Sequence, residues 1–341
     1  VIFMYDVLSH SPRVVVVGYG RWGRQCHTYL INRTSGLTLY GVVSSSAEKR
    51  QQAEQDWDCR TYAAFEEALA DPQVDVIVLA TPNATHAKLS VAALQAGKHV
   101  VTDKVMCLDL AECDAMIAAA RASRRLLTVF QNRRLDGDFL TVQNLLSTGW
   151  LGDLRWAEMS WQGFGAWGGW RGKAAQGGGK LYDLGAHLID QALLLFPAPV
   201  AHVYCRRHYD WPETDTESEA LIVIAFQDGR TAVLDMSSMA MITKPRFYLR
   251  GTEGTFIKYG LDPQEKAQAD GDIDAAKENP ANFGTMKTAA GEERVPTIPG
   301  RWQGYYENLR DALLGQAQPM VTLEQARRVM EVIEAARNQG V

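Results

Sequence analysis

Three sets of side chains in this sequence carry the types and spacings that chemistry needs. The first is a glycine turn, Gly18-Tyr19-Gly20-Arg21-Trp22-Gly23, placed straight after the apolar run Arg13–Val17 and straight before a helical pattern. Between a buried strand and a helix, Gly-x-Gly-x-x-Gly is suited to a pyrophosphate: Gly18 permits a tight turn, Gly20 lets the backbone approach the ligand, and Gly23 lets the helix lie close to the sheet. The helix N-terminus adds amide donors and partial positive charge. The predicted ligand is a dinucleotide. The second set is Asp183 and His187, four residues apart and preceded by Gly177-Gly178-Gly179. On a helix this spacing puts a carboxylate and an imidazole on one face, where they can act together, and the glycines let the helix start close to a ligand. The plainer alternative is a solvent-facing surface pair. The third is Lys104, after the apolar run His99–Thr102. Ligands of open parallel sheets bind at that end of a strand, and an ammonium there can lower a hydroxyl's pKa and steady a developing alkoxide. A solvent-facing loop lysine is the alternative.

These groups need a scaffold, and the first third of the chain spells one out. Apolar runs at Arg13–Val17, Leu39–Val43, Val74–Leu79, His99–Thr102 and Leu126–Val129 alternate with helical patterns at Trp22–Asn32, Ala47–Asp56, Phe65–Ala70, Thr85–Ala96 and Leu110–Arg121. Val and Ile runs without polar alternation fit strands buried on both faces, so five strand–helix units predict a doubly wound parallel sheet. After Phe130 the texture changes. Gly and Trp become dense over 150–179, and Glu219–Phe226 and Arg230–Met236 alternate as antiparallel strands do, joined by the turn Gln227-Asp228-Gly229-Arg230. Residues 261–300 are polar and aperiodic, which predicts a long surface loop, and two helices, Trp302–Leu314 and Leu323–Gln339, follow.

Composition narrows the function classes. With 341 residues, 46% apolar and 22% charged, the chain suits two globular domains. A net charge of -5 with scattered Lys and Arg excludes a field that would hold nucleic acid or an anionic membrane. Five widely spaced cysteines without a Cys-x-x-Cys pair suit reduced thiols in a cytosol rather than disulfides or zinc, and no metal is expected. The apolar opening Val1-Ile2-Phe3-Met4 is read as a short tail. No apolar run approaches the ~18 residues that span a bilayer.

Cofactor preference is read past the second strand. An NAD-specific site normally carries an acidic residue there to grip the ribose hydroxyls. Here the chain reads Val43-Ser44-Ser45-Ser46-Ala47-Glu48-Lys49-Arg50, and hydroxyls with two cations favour NADP over NAD. A plain helix cap at Ser46 with a solvated face at Lys49 and Arg50 is the alternative. Trp161, Phe164, Trp167 and Trp170, set among glycines, predict either an aromatic wall for sugar C–H faces or core anchors of an irregular loop.

Four landmarks in order, the glycine turn, Ala80-Thr81-Pro82-Asn83-Ala84-Thr85-His86, Lys98-His99-Val100-Val101-Thr102-Asp103-Lys104 and Gly177-Gly178-Gly179-Lys180-Leu181-Tyr182-Asp183-Leu184-Gly185-Ala186-His187-Leu188-Ile189-Asp190, resemble the glucose-fructose oxidoreductase and inositol dehydrogenase family (Gfo/Idh/MocA) over almost the whole chain. The resemblance implies an α/β fold, with a Rossmann domain over 1–130 and an α/β domain over 131–341 built on a large open, mostly antiparallel sheet, the C-terminal helix packing back on the first domain. It implies a cytoplasmic oxidoreductase that moves a hydride between NADP(H) and a hydroxyl-bearing carbon of a sugar or cyclic polyol, paired as a homodimer or homotetramer through that sheet. By the same resemblance Lys104 lies beside substrate and nicotinamide, His187 is the general acid/base, and Asp183 positions a neighbouring hydroxyl or the imidazole. Tyr19, Arg21, Trp22, Ser44, Ser45, Ser46, Lys49, Thr81, Pro82, Asn83, His86 and Asp103 then join the three glycines on the cofactor side. Asn83 or Thr85 as a simple helix cap is the competing account.

Gln131-Asn132-Arg133-Arg134 is similar to a stretch of the NADP-dependent scyllo-inositol dehydrogenase branch, which implies substrate roles for Asn132 and Arg133, with Trp170 beside them; interdomain ion pairs are the alternative. The chain departs from the family's Glu-Lys-Pro at Asp103-Lys104-Val105, where Pro would favour a cis bond. Two rival functions follow from that departure and from the family's breadth: an NADP(H)-binding regulator, and an NAD-dependent glycoside-processing relative.

Overall fold

The computed structural model describes residues 5–339, so the opening Val1-Ile2-Phe3-Met4 lies outside the described residues. The chain divides into two compact units, one running to Gln131 and including Trp302–Arg327, the other comprising Asn132–Arg301 and the residues from Arg328 on.

In the first unit a parallel sheet runs in the order β3-β2-β1-β4-β5-β6, with β1 (Arg13–Val17), β2 (Thr38–Val43), β3 (Arg60–Tyr62), β4 (Val76–Leu79), β5 (His99–Thr102) and β6 (Leu127–Val129). Strands covered by helices on both faces need apolar residues at every position, and Val14, Val15, Val16, Val76, Ile77, Val78 and Leu79 are all fully buried. The order reverses between β1 and β4, so the turns after these two strands flank the topological switch point where such sheets bind ligands. The sheet has six strands rather than five. Arg-Thr-Tyr at β3 is too short and too polar to stand out as an apolar run, yet it pairs with Gly41, Val42 and Val43 of β2.

The helices of this unit are α1 (Tyr29–Arg33), entered through a π-helical stretch Gly23–Thr28, then α2 (Ala47–Trp57), α3 (Phe65–Ala70), α4 (His86–Gln95) and α5 (Leu110–Ser123). Ser46 caps α2, its hydroxyl accepting from Lys49 N at 3.3 Å, and Asp109 caps α5, accepting from Glu112 N at 2.8 Å. Caps of this kind contribute about 1 kcal/mol each.

The second unit is an open sheet of eight strands in the order β14-β13-β12-β11-β7-β10-β9-β8. These are β7 (Leu154–Gln162), β8 (Val200–His208), β9 (Glu219–Phe226), β10 (Thr231–Ser237), β11 (Phe247–Gly251), β12 (Gly254–Lys258), β13 (Gly284–Thr288) and β14 (Gly291–Val295). Only β7 and β10 pair in parallel; the other neighbours are antiparallel. The expected hairpin joins β9 and β10, with Gly229 at φ +81. Ala220, Ile222, Ile224 and Phe226 alternate inward along β9.

Helix α6 (Gly137–Ser147) precedes β7, and α7 (Ala186–Leu195) packs against β7 and β10. Ala186–Leu193 are buried on every side of α7, as an enclosed helix requires. The expected loop over 261–300 is a correction: it holds α8 (Gln264–Ala269) and the hairpin β13–β14, which extends the sheet. Within the hairpin only Met286 and Val295 are buried apolar side chains, so a polar hairpin at the edge left almost no hydrophobic period to read. The chain ends with α9 (Gln303–Leu313), in the first unit, and α10 (Leu323–Arg337).

Candidate active site

The glycine turn sits between β1 and the π-helical stretch. Gly18 has φ +97, and a Cβ on it would lie 2.4 Å from Ala80 O. A Cβ on Gly23 would lie 2.0 Å from Gly18 O, whereas one on Gly20 would meet nothing within 4 Å. Two glycines are thus demanded by backbone crowding and the middle one leaves open space, as a cradle for a pyrophosphate needs. Tyr19 is turned inward instead: its hydroxyl donates to Asp56 Oδ2 at 2.7 Å and accepts from Trp57 Nε1 at 2.8 Å, and its ring packs with Val42 and Ala53. Its side chain belongs to the core, so only its backbone faces the turn. Arg21 is exposed and donates to Gln25, and Trp22 packs edge-on to Trp302 at 6.1 Å.

Past β2, Ser44 Oγ accepts from Ser46 N at 3.3 Å, and Arg50 folds back to donate to Ser44 O and Ser45 O at 2.8 and 3.1 Å. Ser45 and Lys49 are exposed. The capping role of Ser46 and an accessible hydroxyl-and-cation surface therefore coexist.

After β4, the Thr81 and Thr85 hydroxyls meet at 2.6 Å, Thr85 Oγ1 donates to Pro82 O at 2.8 Å, and Asn83 is buried in the 3-10 turn before α4. Thr85, at the N-cap of α4, makes no side-chain capping bond. His86 is fully enclosed, with Nδ1 2.7 Å from Val105 O and Nε2 3.0 Å from Thr81 O. It therefore ties the loop after β4 to the loop after β5. Burial holds its imidazole below the usual value, with Asp103 and the two carbonyls pulling the other way.

The loop after β5 carries Asp103 and Lys104, and the Lys104–Val105 peptide is cis. Asp103 is buried; Oδ1 accepts from Lys104 N at 2.7 Å and Oδ2 lies 3.4 Å from His27 Nε2. His27 Nδ1 in turn lies 2.6 Å from the Tyr306 hydroxyl. A carboxylate only accepts, which assigns the His27 proton to Nε2 and makes Tyr306 the donor to Nδ1. Burial works against the charge on Asp103, but the hydrogen bond from His27, with the Lys104 ammonium beyond, holds its carboxyl below the usual range. His27 and Tyr306 went unnoticed in the sequence: they are 279 positions apart and carry no motif.

In the second unit, Asp183 lies in the π-helical stretch Leu181–Gly185 that runs into α7, and His187 lies in the first turn of α7. Both are buried, so the surface-pair alternative is excluded. His187 stacks on Trp161 with centroids 6.0 Å apart and planes at 21°, and Asp183 Oδ2 accepts from Arg171 Nε at 2.9 Å. Arg133 and Arg246 place their guanidinium carbons 4.7 and 5.6 Å from the Trp161 centroid. Arg133 pairs with Asp136 at 3.5 Å and with Glu265, both within this unit. Arg134 binds Asp190 of α7 through two bonds of 2.7 and 2.6 Å, and Gln191 of α7 donates to Arg133 O at 2.9 Å. These bonds fasten the Asn132–Leu135 turn to the helix of His187. Asn132 is buried, with no hydrogen-bond partner for Nδ2 among the described residues.

The aromatic residues separate. Trp161 joins His187, Trp170 lies under Arg171 at 4.5 Å and Trp167 under the Lys180 ammonium at 2.9 Å, while Phe164 is exposed and packs on Trp211. Lys180 and Glu217 are further groups that sequence reasoning missed. Glu217 Oε1 accepts from Leu181 N at 2.6 Å, and its carboxyl is raised by burial. Burial pushes the Lys180 ammonium down to about 7, against the opposing charges of Asp183 and Glu217. Among the described residues, no cluster of three or more His, Cys, Asp and Glu is placed to hold a metal ion, and no helix is long and apolar enough to cross a membrane.

Comparison with known proteins matches these two halves separately. Residues 12–131 match the family described as "Oxidoreductase family, NAD-binding Rossmann fold", and residues 139–257 match the "GFO/IDH/MocA C-terminal domain". The chain is 36% identical over 336 residues to the uncharacterized oxidoreductase YdgJ of Escherichia coli, covering 96% of each chain. It is 31% identical over 339 residues to scyllo-inositol 2-dehydrogenase (NADP(+)) IolW of Bacillus subtilis, covering 95% of this chain and 92% of that one. The solved structure of yvaA from Bacillus subtilis superposes with a TM-score of 0.90 at 29% identity, over 97% of this chain and 96% of that one.

Proposed function

The chain belongs to the Gfo/Idh/MocA family of NAD(P)-binding oxidoreductases, and from that premise we propose that it transfers a hydride between NADP(H) and a secondary hydroxyl or carbonyl carbon of a sugar or cyclic polyol. The observation that carries this reading is the buried pair on one helical segment, His187 stacked on Trp161 and Asp183 held by Arg171. The relative IolW, an NADP-linked inositol dehydrogenase by name, supports the same class of substrate.

Gly18, Gly20 and Gly23 fit a dinucleotide, because the first and third have no room for a Cβ and the second leaves space for a phosphate. Tyr19, Arg21 and Trp22 contribute their backbone or outer faces to that turn, and Thr81, Pro82 and Asn83 line the other side of the switch point. Ser44, Ser45, Ser46 and Lys49 would take the 2′-phosphate, with no carboxylate before Glu48 to repel it. When bound, the nicotinamide accepts or gives the hydride. In the oxidative direction His187 receives the hydroxyl proton, Asp183 orients the substrate or the imidazole, and Lys104 steadies the alkoxide. Asp103 and His86 act through the loop that presents Lys104, by the contacts to Lys104 N and Val105 O. Asn132, Arg133 and Trp170 belong to the substrate side. A polyol outranks an apolar alcohol because so many buried donors and acceptors would otherwise lose their partners.

We further assign the open face of the second sheet, where Tyr204 is 46% exposed, to pairing of subunits, and five free cysteines to a reducing, cytoplasmic compartment. Light scattering of the purified protein checks the first.

The function is tested by screening polyols and aldoses for NADP+ reduction, with NADPH and NADH dissociation constants measured alongside. Multiple turnovers with a polyol and tighter NADPH binding support it. Tight NADPH binding with sub-stoichiometric turnover throughout overturns it in favour of a regulator, and glycoside cleavage without net reduction of free cofactor favours the glycoside-processing relative.

A further inference from the structure

Among the cations gathered in the second unit, Arg133, Arg171 and Arg246 each have a carboxylate partner within ion-pair distance, whereas Lys180 has none among the described residues. Arg133 pairs with Asp136 and Glu265, Arg171 with Asp183, and Arg246 with Asp138. Lys180 is only 2% exposed, and no described residue offers its Nζ a hydrogen-bond acceptor; its close contact is the face of Trp167, 2.9 Å from the ring centroid. The two carboxylates near enough to feel its charge are already committed, Asp183 to Arg171 and Glu217 to Leu181 N. Burying an ammonium without an acceptor oxygen costs far more than a cation–π contact returns.

The backbone holds Lys180 in that place deliberately. Gly177 and Gly179 have φ +73 and +108, and a Cβ on Gly179 would lie 2.5 Å from a Glu217 carboxylate oxygen. The glycine run thus brings Glu217 onto the first amides of the segment that carries Asp183 and leads to His187. Lys180 leaves the same segment three residues before Asp183. It is placed with the substrate groups and is the cation among them that no described carboxylate reaches within ion-pair distance, Asp183 and Glu217 acting on it only from further off.

We propose that Lys180 is a specificity-determining residue that takes an anionic oxygen group of the substrate, so that the site favours a carboxylate-bearing polyol, a sugar acid, over its neutral counterpart. This rests on the reading of the Asp183–His187 segment as the substrate site. The ammonium would exchange its contact with the Trp167 face, wholly or in part, for a charge-assisted hydrogen bond, the interaction that an enclosed cation lacks here.

The test uses the full chain saturated with NADP+ and two probes that differ at C6, D-glucuronate and D-glucose, titrated calorimetrically into wild type, Lys180→Met and Lys180→Arg, with thermal melting of each variant. Wild type is expected to bind glucuronate at least tenfold tighter than glucose. Lys180→Met should lose at least tenfold more affinity for glucuronate than for glucose, and Lys180→Arg should keep most of the preference. A wild type that binds neither probe or does not discriminate, or a Met variant that weakens both equally, overturns the proposal. Should Lys180→Met fail to fold, the Arg variant and the wild-type ratio still decide. The two readings fail separately: turnover of neutral polyols without discrimination sinks Lys180 alone, whereas Lys180-dependent glucuronate binding without any NADP+ reduction sinks the dehydrogenase alone.

Discussion

The two units hold their functional groups by opposite means. In the first, the groups around the glycine turn and Lys104 are set by backbone geometry and short polar links: Gly18 and Gly23 where no Cβ fits, His86 between two carbonyls, and the Tyr306–His27–Asp103 chain ending on Lys104 N. In the second, long side chains lie across indole faces, Arg133 and Arg246 over Trp161, Arg171 over Trp170 and Lys180 over Trp167. Polar capacity remains there, since Asn132 Nδ2 and Arg246 Nη1 are enclosed without a hydrogen-bond partner among the described residues. A cofactor that every member of such a fold must hold is met by a shape with atoms left out. A substrate that differs from one enzyme to the next is met by side chains that one substitution can change.

The largest expected effect lies in the second unit. His187→Asn removes the proton acceptor while leaving a planar group against Trp161, so kcat should fall about 10²- to 10⁴-fold with the NADPH dissociation constant within about twofold of wild type. Steady-state kinetics beside a fluorescence titration read both, and unchanged turnover would remove the catalytic role. The corresponding change in the first unit, Lys104→Met, should cost about 10²-fold in kcat. If both residues act on one substrate, the double variant will lose less than the product of the two single effects.

Breaking the backbone device gives a different signature. Gly18→Ala puts a Cβ against Ala80 O at a φ of +97, a conformation that costs about 1–3 kcal/mol before the clash is counted. The expected outcome is a lower melting temperature together with weaker NADPH binding. Tyr19→Phe, one residue on, tests the inward placement: loss of the bonds to Asp56 and Trp57 should cost about 1 kcal/mol, seen in denaturant unfolding, with NADPH affinity kept. A large drop in affinity instead would return the Tyr19 side chain to the cofactor.

The same contrast explains what the sequence discloses. Val14–Val16 and Val76–Leu79 are buried on both faces, so their positions are legible as apolar runs, and the glycine spacing is legible because Gly18 and Gly23 are backbone requirements and Gly20 keeps the space between them open. Strands β3 and β14 are short and polar at sheet edges, and β13 lies one strand in from β14; hydrogen bonding to neighbours, more than a hydrophobic face, makes these strands. Asp183 and His187 share a helical segment and so share a spacing. His27 with Tyr306, and Lys180 with Glu217, are brought together only by tertiary packing, and no local period encodes a contact of that kind.

The smallest effect concerns the chain beneath Lys104. Asp103 has its carboxyl held below the usual 3.8, principally by the His27 hydrogen bond against the cost of burial. A depressed folded pKa contributes stability that is present above the unfolded value and is lost as pH falls through the folded one. Stability of the wild type should therefore decline below about pH 4, and Asp103→Asn should flatten that part of the curve while lowering stability at neutral pH, since His27 then faces an amide. Melting curves between pH 3 and 8 read the difference. Parallel acid declines in the two proteins would mean that the His27–Asp103 contact carries little of the charge, and the first unit's loop would then be held by His86 and backbone alone.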